Sequence, residues 1–373
     1  MAIKEVFYTL DEFDTELPAD SVEWCPAEPF RDVLACGTYK LIENKENAKH
    51  EKCERTGRIY LLRVMNGGKL QVLQRIDTSG ILDMKWTHVT TSENNRILLA
   101  VANSNGYLQI YELQKKENKT ELQLIAEERL GDDNEDVMAL SLDWSIGGFV
   151  SGTCHLNPRI AVSDSQGRIS HFTWHETNNL TKDFTLRAHE FQAWIVAFDY
   201  CNDNIFYSGG DDNKFLTFDA RTGSIPVLCN REHTSGVTSI RSNAVKSFML
   251  ATGSYDEFLR LWDKRNLRRP VSKINLKGGI WRLKWDPFTH HYLLAACMYE
   301  DFKIINCDCN MSIIGNYNKH CGISYGCDWS LLKKEDVSHL KIPIGETLVS
   351  TCSYQDCALK LSAINLKIDE LGS

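Results

Sequence analysis

No apolar window in this chain approaches the ~18 residues that carry a helix across a bilayer, so no membrane-spanning helix is expected. Residues 1–18 are too acidic for a secretory signal, which leaves a cytoplasmic protein as the expectation. Lys and Arg nowhere form a block long enough to track a phosphate backbone. With a formal net charge of −8, nucleic acid is excluded as a main partner. Rossmann, Walker, zincin and kinase motifs are all missing. Thirteen cysteines are present, but their spacing is poor for zinc. Cys307-x-Cys309 and Cys352-x4-Cys357 have no second pair placed to close a tetrahedron, so they read as free thiols acting as small hydrophobes. Neither a metal nor a cofactor is expected. What remains is a composition of 43% hydrophobic and 25% charged residues, which belongs to an ordinary folded protein.

The most telling segment that is present is LATGSYDEFLRLWD, at 250–263. It joins an apolar run, a Gly-Ser-x-Asp turn, an alternating strand and a terminal Trp-Asp, the core of one WD-type repeat. Diluted copies recur to both sides. A period of ~40–45 residues with that dipeptide signals an all-β, seven-bladed β-propeller of four-stranded sheets. The first strand of each unit ends in a large anchor, at Trp24, Trp86, Trp144, Phe198, Ile240, Trp285 and Trp329. All 373 residues are assigned to this single domain. The third strand of the last unit ends near Ile364, with nothing long enough after it for a fourth. Residues 5–10 (EVFYTL) are therefore expected to complete the last blade and close the ring, which removes the edges of a linear array. The charged stretches 43–57 and 331–346 read as solvated loops. Residues 114–136, though charged, carry a Leu-x-Leu-Ile that suggests the outer strand of blade two.

Function must then reside in loops at one end of the ring. His189 and His233, with His320 as a looser match, occupy the Gly-His-like position between blades, and Asp212 and Asp256 the turn that bonds such a His. A blade-locking hydrogen-bond network is the structural reading of these pairs, and a catalytic dyad the functional one. The residue four before each anchor is expected near the channel mouth: Asp20, Leu82, Leu140, Trp194, Gly236, Trp281 and Tyr325. Two Trp, one Tyr and one Asp converging there would suit a cation that lacks N–H donors; the alternative is that the aromatics plug the channel as packing. Glu23, Asp83, Lys85, Asp143, Arg282, Lys284 and Asp328 lie close to the anchors, and some must pair across blades because isolated buried charge is prohibitive. Arg282 could meet a substrate carboxylate or belong to a structural ion pair. The G-x-S-x-G match at 322–326 leads into a strand, without the strand–turn–helix a nucleophile elbow needs, and is discounted.

Several segments resemble one family closely: ADSVEWCP (19–26), LACGTYKL (34–41), DTSGILDMKW (77–86), SGGDDNKFLTFDAR (208–221), REHTSGVTSI (231–240), GGIWRLKWDP (278–287) and YGCDW (325–329), besides the repeat at 250–266. The chain is similar to the WD-repeat diphthine methyl ester hydrolases of diphthamide biosynthesis, also named diphthine methyltransferases. The resemblance implies hydrolysis of the methyl ester of methylated diphthine on elongation factor 2, leaving a free acid for later amidation. It implies elongation factor 2 as the partner, with the amidating ligase as a second contact; separately, a closed ring with no coiled-coil segment suggests a monomer. The resemblance carries over no catalytic residues. Because the chain lacks a nucleotide-fold glycine loop, cofactor-dependent methyl transfer is not expected of it. The residues' own reading meets that substrate at one point: Trp194, Trp281, Tyr325 and Asp20 would hold the trimethylammonium, with Arg282 toward the ester. A water positioned by Asp20 or His233 is the simplest chemistry. A covalent route through Ser21 or Ser324 lacks a visible base. The alternative class is a non-catalytic adaptor that presents the factor to the ligase or scaffolds a trafficking complex.

Overall fold

The computed structural model describes residues 6–42, 54–88, 96–117, 119–132, 134–145, 157–308, 310–342 and 345–366. Seven antiparallel sheets follow one another along the chain and close into a propeller. Their strands are the short β-branched and aromatic runs of the sequence. Ile97–Asn103, for example, is buried at every position, because it packs on both faces between neighbouring sheets. The hydrophobic core is correspondingly divided. One cluster joins blades one and two, the next two and three, and so on around to seven and one.

Closure uses the N-terminus as expected. Phe7–Asp14 pairs antiparallel with Ala358–Ile364, Phe7 opposite Ile364 and Asp14 opposite Ala358, so blade seven is built from both ends of the chain. The strand runs four residues past the expected stop. Leu10 and Phe13 continue the inward face, while the Asp11 carboxylate accepts from the backbone N–H of Leu70 in blade one at 2.8 Å.

Most anchors staple one blade to the previous one. The indole N–H groups of Trp86, Trp144, Trp285 and Trp329 donate to the carbonyls of Glu23, Lys85, Arg241 and Lys284 at 3.0–3.4 Å. Each acceptor lies one residue before the preceding blade's own anchor position. Trp24 sits at the seam between blades one and seven, and its indole nitrogen is buried without a partner among the described residues. In blade five the ladder corrects the expected register. Ser242, not Ile240, lies opposite Leu250 as Trp24 lies opposite Leu34. The mouth position there is consequently Thr238 and not Gly236. Ile240 misled because it is the large residue of the strand, whereas the anchor itself is a small Ser whose Oγ donates to the carbonyl of Phe198 at 3.0 Å.

Two expected loops also change. Residues 43–53 lie outside the described residues, but Glu54–Met65 is already strand, and Lys40–Ile42 pairs with its first turns as a fifth strand of blade one. The stretch 331–346 contains a helix, Lys334–His339, with Asp336 accepting from the backbone N–H of Lys333 at 3.0 Å. Leu331, Leu332 and Val337 are buried in the seam between blades one and seven. The mixed charges of this stretch concealed a short apolar face. Lys119–Arg129 is the outer strand of blade two, as expected.

Candidate active site

Each inner strand begins at one end of the channel, here called the mouth, and ends at the other. In blades one, two, three, five and seven a bulge pushes out one residue at that start, namely Asp20, Leu82, Leu140, Thr238 and Tyr325. In blades four and six the same position falls on Trp194 and Trp281, one residue before the strand. Register therefore delivers seven side chains from seven distant segments to one opening. A second set comes from the first or second residue after the second strands. Tyr39, Asp211, Tyr255 and Tyr354 donate their backbone N–H to the carbonyls of Pro18, Gln192, Gly236 and Ile323, each two residues before its own blade's mouth position.

The aromatic members of both sets touch. Trp194 meets Trp281 with centroids 5.6 Å apart at 63°, Trp281 meets Tyr325 at 5.0 Å, and Tyr255 lies 6.2–6.3 Å from both Trp rings. Tyr354 continues the arc, 5.8 Å from Tyr325 and 6.4 Å from Tyr39. All six are half-buried, neither sealed nor loose. The rings pack edge to face or tilted, at 32–86° to one another, so they present an aromatic wall and not an open box. Asp211 accepts from the Trp194 indole N–H at 3.2 Å, which puts a carboxylate at the rim. Thr238 fixes the approach to Trp281 by donating to the carbonyl of Ile280. The inner-strand alignment misses Tyr39, Asp211, Tyr255 and Tyr354. The signal was available in the residue that follows each Gly-Thr, Gly-Gly, Gly-Ser or Cys-Ser strand end.

Asp20 occupies the blade-one position of the mouth. It is 3% exposed, and among the described residues its carboxylate accepts no hydrogen bond, Oδ2 being wholly buried. Burial pushes its pKa up from 3.8 to about 7, partly opposed by the Arg282 guanidinium and assisted by Asp83. Tyr325 and Tyr354 are close enough to sense its charge. The indole nitrogen of Trp281 is a second buried polar atom without a partner among the described residues.

Arg282 stands elsewhere than the sequence reading placed it. It reaches across the channel from blade six to blade two, with Nη1 at 3.2 Å from Asp83 and Nη2 at 3.5 Å from the carbonyl of Leu82. Lys85 lies 2.7 Å from the other oxygen of Asp83, which also accepts from Ser141 Oγ and the backbone N–H of Leu142. Burial would raise the pKa of Asp83, but Arg282 and Lys85 outweigh it and hold the group ionised. Arg282 is thus committed to a buried ion pair next to Asp20 and is not free to take a substrate carboxylate. One residue before each anchor, Lys284 spans from blade six to Glu23 of blade one at 2.5 Å and to Asp328 of blade seven at 3.3 Å. These crossings place paired charge across the channel between the mouth and the anchors.

His233 also has another task. Its Nδ1 pairs with Asp256 at 3.0 Å and its Nε2 with Thr252 Oγ1 at 2.7 Å, and Thr252 in turn accepts from the Trp262 indole N–H at 2.8 Å. His189 repeats the arrangement with Asp212 and Ser208, and His320 with Asp356 and Thr351. With both ring nitrogens occupied and burial holding its pKa down, His233 has no lone pair to offer a water. The network locks the blade. Ser324 is fully buried and donates to Asp301 at 3.1 Å, and Ser21 is buried opposite Gly37, so neither serine is an exposed nucleophile. Among the described residues no group of His, Cys, Asp and Glu could hold a metal ion.

Comparison with known proteins agrees with this architecture. The model of the WD domain, G-beta repeat, matches residues 225–263. A chain in the crystal structure of the mitotic checkpoint complex superposes with a TM-score of 0.66 over 96% of each chain at 16% identity, a likeness of fold alone. The diphthine methyltransferase of Homo sapiens is 39% identical over 346 residues, 87% of this chain and 75% of that one. A diphthine methyltransferase homolog of Dictyostelium discoideum is 33% identical, covering 92% of this chain and 95% of its own. The diphthine methyltransferase of Schizosaccharomyces pombe is 29% identical over 92% and 93%. Identity of 39% and 33% over 87% and 92% of the chain shows that it belongs to the diphthine methyltransferase family.

Proposed function

We propose that this protein hydrolyses the methyl ester of methylated diphthine on elongation factor 2, at the aromatic mouth, with Asp20 as general base. Family membership gives the chain a role in diphthamide biosynthesis. The observation that carries the hydrolytic step is Asp20 itself, a buried carboxyl without a hydrogen-bond partner whose pKa of about 7 suits a base working near neutrality. The fold points the same way, because the described chain is propeller throughout and has no βαβ unit with a glycine-rich turn for a nucleotide-like methyl donor.

In this reading the trimethylammonium rests against the wall formed by Trp194, Tyr255, Trp281 and Tyr325, with the Asp211 carboxylate at the rim. The ester then lies over Asp20. The ionised carboxylate takes a proton from water while the water oxygen bonds to the ester carbonyl carbon. Collapse of the tetrahedral intermediate breaks the bond to the methoxy oxygen, and that oxygen leaves as methanol with the proton from Asp20. The unpaired indole N–H of Trp281 is a spare donor for the carbonyl oxygen as negative charge builds on it. Arg282, paired with Asp83, keeps the Asp20 pKa from rising beyond reach.

Incubating the purified protein with methyl-esterified diphthine on the factor, without any methyl donor, tests this. Methanol release with conversion of the ester to the free acid is expected. A protein that binds the modified factor and leaves the ester intact would be an adaptor, and the proposal would fall.

A further inference from the structure

The far end of the channel differs in chemistry from the mouth. A cavity of about 80 Å³ opens there, lined by Arg241, Lys284, Trp285 and Pro287 together with the carboxylates of Glu23 and Asp328. That is room for one carboxylate group or several waters. Lys284 is consumed by Glu23 and Asp328. Arg241 is not. Its Nη1 donates to Tyr200 Oη at 2.9 Å and sits 3.5 Å from Asp143, and among the described residues its Nη2 and Nε have no partner. A guanidinium with half its fork unengaged, lining a cavity, is a receptor for a planar oxyanion.

The turns that frame this opening are apolar where solvent would favour polar residues. Val245 and Phe248, in the turn after the blade-five inner strand, are 66% and 44% exposed, and Phe288, in the matching turn of blade six, is 47% exposed. Connections from first to second strands, and from third to fourth, all fall on this face, so the neighbouring turn at Arg268 and Arg269 lies there too. Both arginines are exposed, and among the described residues neither has an ion-pair partner, whereas Asp263 and Asp308 of the same face are paired with Arg265 and Lys246. In a chain of net charge −8 this is a local excess of free positive charge beside exposed hydrophobic surface.

We infer that the far face of blades five and six is a docking site for a linear peptide segment of a partner protein, an acidic residue flanked by apolar side chains. The acidic carboxylate enters the cavity onto the free edge of Arg241. Its apolar neighbours cover Val245, Phe248 and Phe288, and Arg268 and Arg269 steer the approach. The paired charge across the channel lies between this site and the mouth.

A displayed library of random dodecapeptides, panned on the full-length protein and counter-selected on the double variant V245D/F288D, tests the inference. Both substitutions lie on exposed turns away from the mouth, and ester turnover by the variant reports that the ring is intact. Enrichment of sequences with Asp or Glu between apolar residues is expected. The enriched peptide should bind the wild type and the W281A variant alike, fail to bind V245D/F288D, and weaken about tenfold or more when its acidic residue becomes the amide. No enrichment over the far-face variant would overturn the inference. So would equal binding of the amide peptide, or binding that W281A abolishes and V245D/F288D retains.

Discussion

Asp20 should destabilise the ring it helps to build. The perturbation is Asp20→Asn, which keeps the shape of the side chain and removes its charge. Below pH 3.8 the carboxyl is protonated in both the folded and the unfolded chain, and its ionisation contributes no cost. As pH rises from 3.8 toward about 7, the unfolded chain releases this proton while the folded chain keeps it, so stability falls through that window. Above about 7 both states are ionised and the loss is constant. A group fully desolvated in this way costs up to about 4 kcal/mol at 1.4 kcal/mol per tenfold. Arg282 does not reverse the sign, because its pairing with Asp83 at 3.2 Å does not depend on Asp20. The assay is urea unfolding of both proteins at pH 4, 6 and 8. D20N should match the wild type at pH 4, exceed it by a margin that grows to the order of 4 kcal/mol by pH 8, and lose ester turnover at every pH. Equal stability at pH 8, or a difference that does not change with pH, would refute the reasoning about burial. Such a trade of stability for function is what a buried base implies.

Other consequences follow from the same geometry. Trp281→Ala removes the centre of the aromatic wall and should lower kcat/KM on the ester substrate up to about 30-fold, with thermal unfolding little changed, since a desolvated cation–π contact is worth about 2 kcal/mol; an unchanged kcat/KM would remove the wall from the site. His233→Ala should cost about 3 kcal/mol of stability by emptying a buried position and removing its bonds to Asp256 and Thr252, which keep Arg260 and Trp262 as partners, while the folded fraction keeps its kcat; a selective loss of kcat would restore His233 to the chemistry. Asp83→Asn leaves the whole Arg282 charge to act on Asp20, and the ionisation limb in the pH profile should move to lower pH; a limb that moves up would reverse the electrostatic ordering. Removing residues 1–14 exposes the edge of Ala358–Ile364, and gel filtration with chemical denaturation should show loss of the whole cooperative ring, not of a tail.

Repeat architecture made the fold legible. Trp24, Trp86, Trp144, Trp285 and Trp329 are large because each plugs the space between two blades, so their spacing reveals the array. Blade five is the informative failure: a small Ser holds the anchor position, and size alone selects Ile240, two residues early. Residues 331–346 show a second limit, since one buried Val and two Leu among charges give too short a periodicity to mark a helix. At the site, alignment of inner strands is enough to gather Trp194, Trp281, Tyr325 and Asp20, because register is a local property. The fate of Arg282 was not legible. Whether a guanidinium meets a ligand or a buried Asp depends on a partner about 200 residues away that only ring closure brings near. His233 needed the Thr252 and Trp262 contacts for the same reason.

In the proposed reaction, ionised Asp20 activates the water that cleaves the ester. The dependence of kcat/KM on pH for methanol release, from pH 5 to 9, tests it most directly. For the wild type the rate should rise about tenfold per pH unit at the acid end and level off above a midpoint near 7, and the D20N variant should lack both the limb and the activity. A profile flat through pH 7 in the wild type, or a D20N variant that releases methanol at the wild-type rate, would contradict it.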